Sequence, residues 1–187
     1  MKTDAVPSLR TDRLYLRGVT LDDAEAYERH FVNYEVIRYL SDRVPWPYPA
    51  GGVRTFFEEF VLPRQGRDRW MWGIFLSSAP DELIGAVELW RVGVPENRGF
   101  WLAQPHWGQG YMTEACALIN DVAFNQLGFD ELIFTNALGN TRSERIKEKT
   151  GCERIGVKDS SFVDPQFTQS EIWRLTRASW EAHQASS

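Results

Sequence analysis

Apolar positions along this chain switch several times between a spacing of two and a spacing near three and a half, and each switch marks an element. Residues 13–18 alternate and read as a strand. Asp22 and Asp23 then open a helical run in which Ala26, Tyr27, His30 and Phe31 give one apolar face. A second short helix fits 34–40, and a third fits 53–62 with Phe56, Phe57 and Phe60 on or near one side. Between them Pro45, Pro47 and Pro49 impose a rigid loop, because proline removes the donors that a helix or ladder needs. Strands are expected over 70–76, 83–92 and 98–103, with turns at Pro80-Asp81 and Pro95-Glu96-Asn97. A helix over 111–127 stops near Gly128, a strand follows at 131–136, and a short helix over 142–150 ends at Gly151. Strands at 153–158 and 171–176 complete the pattern. This order predicts an α+β fold, a mixed and mostly antiparallel sheet flanked by helices. One domain over 1–187 is expected, with a core from about 9 to 181 and loose ends at 1–8 and 182–187.

The junction between the strand at 98–103 and the helix at 111–127 holds the most chemistry, in the string His106-Trp107-Gly108-Gln109-Gly110-Tyr111-Met112-Thr113-Glu114-Ala115. The first N–H groups of a helix have no partner in that helix, and the helix dipole adds partial positive charge there. Gly108 and Gly110 lack a Cβ, so a phosphate oxygen can approach the backbone. The loop is not a Walker loop, since Tyr111, Met112 and Thr113 follow where Gly-Lys-Ser/Thr would be needed. Nor is it a dinucleotide fingerprint, since Thr113 stands where a third small residue belongs.

Composition narrows the classes. A chain of 187 residues with 43% apolar and 25% charged positions is one ordinary globular domain. A net charge of −5 argues against a dedicated nucleic-acid binder. Cys116 and Cys152 fit no metal-ligand spacing, no metal is expected, and both read as small buried apolar residues. The first residues show no charged-then-apolar leader, and no apolar run approaches the ~20 residues of a membrane span. A cytoplasmic protein without a membrane partner is expected.

The ten-residue string resembles the Gly-x-Gly acyl-CoA pyrophosphate loop of the GNAT N-acetyltransferases, in the branch that includes the ribosomal-protein N-terminal acetyltransferases. Three further segments carry the likeness in the same order. Leu9-Arg10-Thr11-Asp12-Arg13-Leu14-Tyr15-Leu16-Arg17 is similar to that branch's first strand, and Val44-Pro45-Trp46-Pro47-Tyr48-Pro49 to its proline-aromatic loop. Asn140-Thr141-Arg142-Ser143, followed by Glu148-Lys149-Thr150-Gly151-Cys152, is similar to its late segment. The resemblance implies a GNAT sheet split where the cosubstrate enters, with acetyl-CoA as that cosubstrate and an amine as acceptor, on a protein N-terminus or a small molecule. It implies that backbone N–H groups of Gly108, Gln109, Gly110, Tyr111 and Met112 hold the pyrophosphate. Main-chain groups of Leu102, Ala103 and Gln104 would hold the pantetheine arm as an added strand would. One departure is Pro105, where many members carry Arg or Gln. Asn140 is either a partner of the pantetheine arm or a helix cap. Arg142, Arg145 and Lys147 are candidates for the 3′-phosphate of CoA or are simply solvated.

Acetyl transfer requires a deprotonated amine, a polarised carbonyl and a proton for the departing thiolate. Where many relatives carry a tyrosine for the last role, this chain has Lys147. The ribosomal-protein branch places a serine where Ser143 stands, so the resemblance makes Ser143 the candidate general acid, with a helix cap as its plainer role. For the base, the segment that supplies a glutamate in some relatives offers Ser161 here. The resemblance also points to the central strand, where Glu88 stands. A carboxylate there is catalytic, in a structural salt bridge or on a solvated strand edge. A lysine ε-amine costs about 4.6 kcal/mol to present neutral at pH 7, an α-amine about 1.4 kcal/mol. A site without a strong base therefore suits an α-amine. Trp46, Tyr48, Trp70, Trp72 and Trp90 either line an aromatic cleft or form core. An acyl-CoA-binding module or a scaffold with little catalysis remains the alternative, and monomer and homodimer remain equally open.

Overall fold

The computed structural model describes residues 6–92 and 95–186. Two antiparallel sheets form it. The first contains β1 (Leu9–Arg10), β2 (Leu14–Gly18), β3 (Arg69–Leu76), β4 (Ala79–Trp90) and β5 (Arg98–Leu102) in that spatial order. The second contains β6 (Glu131–Ala137), β7 (Glu153–Asp159) and β8 (Gln169–Thr176), with β8 in the middle. Helices α1 (Ala24–Phe31), α2 (Tyr34–Ile37) and α3 (Gly52–Phe56) lie between β2 and β3 in sequence, and a π-helical turn, Phe57–Val61, extends α3. Helix α4 (Tyr111–Asn125) joins the two sheets, α5 (Thr141–Lys149) precedes β7, and α6 (Arg177–Ala185) ends the fold.

Alternation along the strands sorts side chains into two cores, one on each face of the first sheet. Trp72, Ile74, Val87 and Leu89 pack with Ala115, Cys116, Ile119 and Phe124 of α4. Met71, Phe75 and Ala86 pack on the opposite side with Tyr27, Phe31, Val53 and Phe57. Each fully buried Leu, Ile or Phe contributes roughly 2 kcal/mol. Trp70 and Trp72 are thus core residues, as the plainer reading had it.

Three sequence expectations need correction. Pro80 and Asp81 lie inside β4, and the reversal falls at Ser77 and Ser78 instead. Register shifts near Phe75 loosen the ladder there, so an edge proline costs little. The segment expected to be loose at 182–187 is helical as far as Ala185, because Trp180 is buried and its indole N–H donates to Asp121 at 3.0 Å. Thr176 and Ser179 cap that helix reciprocally. At the other end Val6 is buried and the Pro7 carbonyl accepts from the Trp72 indole, so residues 6–8 are held as well. Residues 1–5 and 187 lie outside the described residues. No helix among the described residues is long and apolar enough to cross a membrane.

The two sheets meet at β5 and β6. The Asn97 N–H donates to the Ile133 carbonyl at 2.8 Å, and the Asn97 side chain accepts from the Ile133 N–H at 2.9 Å. Beyond that point no ladder joins the strands. The sheet is split.

Candidate active site

The split opens into a cleft of about 360 Å³. Gly99, Phe100, Trp101 and Leu102 of β5 form one wall, Phe134, Thr135 and Asn136 of β6 the other, and α5 contributes Arg142, Ser143, Ile146 and Lys147. The Gly108–Gly110 loop and the start of α4 close one end, while Glu35, Val36 and Tyr39 border another side.

At the loop, Gly108 (φ 75°) and Gly110 (φ 81°) both take the left-handed conformation that glycine tolerates. A side chain at Gly108 would meet open space, so the glycine serves the left-handed backbone turn rather than packing. Arg13, on the β1–β2 connection, holds the loop from outside. It donates to the Gln109 carbonyl at 2.9 Å and pairs with Glu114 of α4 at 2.5 Å. With the carbonyl turned to Arg13, the N–H groups of Gly108, Gln109, Gly110, Tyr111 and Met112 find no acceptor among the described residues. That row of donors sits on the positive end of a fifteen-residue helix.

The strand edge is more selective than the sequence reading proposed. The Ala103 N–H donates to Ile84, and Ala103 and Gln104 lie past the end of β5 and outside the cleft lining. Alternation leaves the main-chain groups of Phe100 and Leu102 facing the split. The Leu102 carbonyl accepts from the Trp107 indole at 2.7 Å, which locks the turn onto the strand. Phe100 was not singled out from sequence, although in-or-out alternation identifies it once Ala103 is known to be paired.

On α5, Asn140 caps the helix, its Oδ1 accepting from the Ser143 N–H at 3.4 Å, and both residues line the cleft. Lys147 is not a solvated rim residue. It is 1% exposed, and its Nζ donates to the Ser143 hydroxyl at 2.7 Å. The two stand one helical turn apart, a spacing that could have linked them in sequence. Burial first, and then the nearby Arg98, lower the Lys147 ammonium to about 7. Arg98 is itself buried, bonded to Asn120 at 2.8 Å and stacked over Phe134. Arg142 and Arg145 stay at the rim, Arg142 with its guanidinium 3.7 Å over the Trp107 ring. The cleft is therefore basic in an acidic protein.

Glu88 is not brought to the cleft. Its side chain takes the face of β4 that carries Ala86, near Tyr27, and pairs with Arg69 at 2.5 Å. Burial outweighs Arg69 and raises that carboxyl to about 7. The other acidic residues near the second sheet are also engaged. Asp164 pairs with Arg38 at 2.6 Å, and Glu171 with Arg154 at 3.1 Å and Asn136 at 2.9 Å. The Ser161 carbonyl accepts from Asp42, tying the β7–β8 loop to the segment after α2. Trp46 is exposed and packs on Tyr34, Tyr48 packs on Phe31, and none of the five aromatics proposed for a cleft lines this one. Trp101 and Trp107 do.

A split sheet, a left-handed glycine turn and a helix start facing the same cleft make a specific combination. The Acetyltransferase (GNAT) domain family matches residues 13–153. The chain belongs to the GNAT acetyltransferases. It is 31% identical to the uncharacterized N-acetyltransferase YoaA of Bacillus subtilis over 159 residues, 81% of this chain and 85% of YoaA. The ribosomal-protein-S5-alanine acetyltransferase of Vibrio fischeri shares the fold with a TM-score of 0.77 at 14% identity, over 93% of this chain and 98% of that one. Mycobacterium smegmatis RimJ, solved with CoA-disulfide, does so with a TM-score of 0.75 at 18% identity, over 97% and 93%. This GNAT chain is accordingly an acetyl-transferring acyltransferase. The family's cosubstrate is acetyl-CoA, and the basic cleft with its row of free amides fits such a polyanion.

Proposed function

We propose that this GNAT enzyme transfers acetyl from acetyl-CoA directly to the α-amine of a protein N-terminus, within a complex that holds both substrates. The free amides of residues 108–112 take the diphosphate, the Phe100 and Leu102 edge takes the pantetheine arm, and Asn140 lines the same cleft across from that edge. Arg142 and Arg145 offer charge to the phosphates at the rim. The departing sulfur meets α5, where Ser143 presents its hydroxyl.

One observation carries the choice of amine. Glu88, Asp164 and Glu171 are each held by an arginine, so none stands free as a strong base at the cleft. Among the described residues Glu35 alone of the carboxylates borders it, half-exposed and 3.5 Å from Arg38. An α-amine with pKa ~8 is about one-tenth neutral at pH 7, whereas a lysine at ~10.4 is neutral in less than a thousandth of molecules. The name of the Vibrio neighbour, an acetyltransferase of an alanine of ribosomal protein S5, agrees with a protein acceptor.

The test compares CoA release from peptides whose only amine is either an α-amine or an ε-amine. The α-amine peptide is expected to turn over at least tenfold faster at pH 7. Equal or faster use of the ε-amine would overturn the choice of acceptor. Tight acetyl-CoA binding without release on either peptide would return the chain to the binding-module reading.

A further inference from the structure

We propose that Lys147 donates the proton that the departing CoA thiolate takes up, with Ser143 positioning its amine. The inference rests on the acetyl transfer described above and assigns one of its steps to a residue.

Geometry singles Lys147 out. Its Nζ is buried in the cleft, on α5, 5.7 Å from the Phe100 ring of the opposite wall. An ammonium carries three N–H donors, and Ser143 Oγ is the one acceptor recorded for it among the described residues. No carboxylate lies within ion-pair range of Lys147 among those residues. A lysine kept for structure would be paired, because burying an unpaired ammonium costs several kcal/mol. The groups facing it from neighbouring elements are Arg98 of β5, Cys116 of α4, Cys152 beyond α5 and Glu171 of β8. Glu171 is already engaged by Arg154 and Asn136, and both thiols are pushed up by burial, so they stay neutral near pH 7. What remains is a cation beside a second cation, Arg98, in low dielectric. Such an amine gives up a proton near neutrality, which matches a general acid to its working pH. A serine hydroxyl cannot ionise there and serves as the partner that fixes the amine.

The step balances. The acceptor nitrogen forms a bond to the acetyl carbon, and the C–S bond breaks with both electrons staying on sulfur. One Nζ–H bond of Lys147 breaks with its electrons staying on nitrogen, and the proton goes to sulfur. The new amide nitrogen then loses its extra proton to water, and Lys147 regains one from water.

The chain has four lysines, Lys2, Lys147, Lys149 and Lys158, so each can be resolved by NMR after lysine isotope labelling. One resonance of the unliganded protein is expected to titrate near pH 7 and to vanish in Lys147→Met and Lys147→Gln. If all four titrate together around pH 10, the proposal fails, whatever the variants do. With the preferred amine, Lys147→Met is expected to lower kcat about 100-fold while the acetyl-CoA Kd from calorimetry stays within threefold. In the wild type kcat falls as pH rises above 7, and this limb disappears in both variants. Lys147→Arg keeps the charge but holds its proton too tightly, so it should remain at least 30-fold slow; full rescue by arginine would show a purely electrostatic role and overturn the proposal. Wild-type turnover matched within threefold by a folded Lys147→Met enzyme also overturns it. A wild type that releases no CoA with any amine instead defeats the functional reading on which it stands.

Discussion

Two buried ionic sites divide the molecule, and they look alike until their surroundings are compared. Beneath α1 and α3, Glu88 is largely but not fully buried, raised to about 7 and closed off by Arg69. At the floor of the split sheet, Lys147 is buried, lowered to about 7 and part of the cleft lining, with a neutral serine as partner. Burial sets both values. Only the second group faces space that a substrate can occupy. A shifted titration is therefore a weak guide to chemistry unless the group also faces a cavity and lacks a counter-ion.

The largest test of this contrast is on stability. Replacing Glu88 by Leu leaves the partly buried Arg69 without its partner and should cost about 2 kcal/mol in chemical denaturation. Acetyl transfer per folded molecule should stay within twofold, and a loss of 100-fold would return Glu88 to the catalytic machinery. Lys147→Met should behave in the opposite way, leaving stability undiminished while turnover collapses.

The pH dependence of stability gives a finer test, with opposite slopes. Glu88 is raised from 4.5 to about 7, so its contribution is complete below pH 4.5 and declines as pH rises towards 7. Lys147 is lowered from 10.5 to about 7, so its contribution is complete above pH 10.5 and declines as pH falls towards 7. Urea titrations across this range should show the first slope missing in Glu88→Leu and the second missing in Lys147→Met. Loss of either slope in the wrong variant would dissolve the comparison.

The smallest expected effect lies at the glycine turn. Arg13→Ala should raise KM for acetyl-CoA roughly threefold to tenfold and leave kcat alone, because it frees the Gln109 carbonyl without touching the reacting atoms. A change confined to kcat would contradict the assigned role.

The order of elements and the α+β class were readable from spacing and turn residues, and the split sheet only from the family resemblance. Alternation located β2, β3, β6 and β8 to within a residue or two, and the glycines at 108, 110, 128 and 151 stand where the backbone turns left-handed. Residues that depend on distant partners were not readable. Nothing local to Pro80 shows that the strand register slips at Phe75 and carries it into β4. Helix α6 is fixed by Trp180 meeting Asp121, 59 positions earlier. At the site, the loop and α5 were legible because short motifs encode local backbone geometry. The depth at which Lys147 sits was not, since it is set by β5, β6 and α4 together. Glu88 shows the reverse case, a residue type suited to catalysis whose arginine partner is supplied by the neighbouring strand.

Arg13 reaches the Gln109 carbonyl across 96 positions of sequence. The proposed diphosphate seat is thus stitched together from two ends of the polypeptide. Split between α3 and β3, neither fragment alone would own a finished seat. Nucleotide affinity would then return only when the fragments are recombined, which makes retention on a CoA resin a direct gauge of complementation.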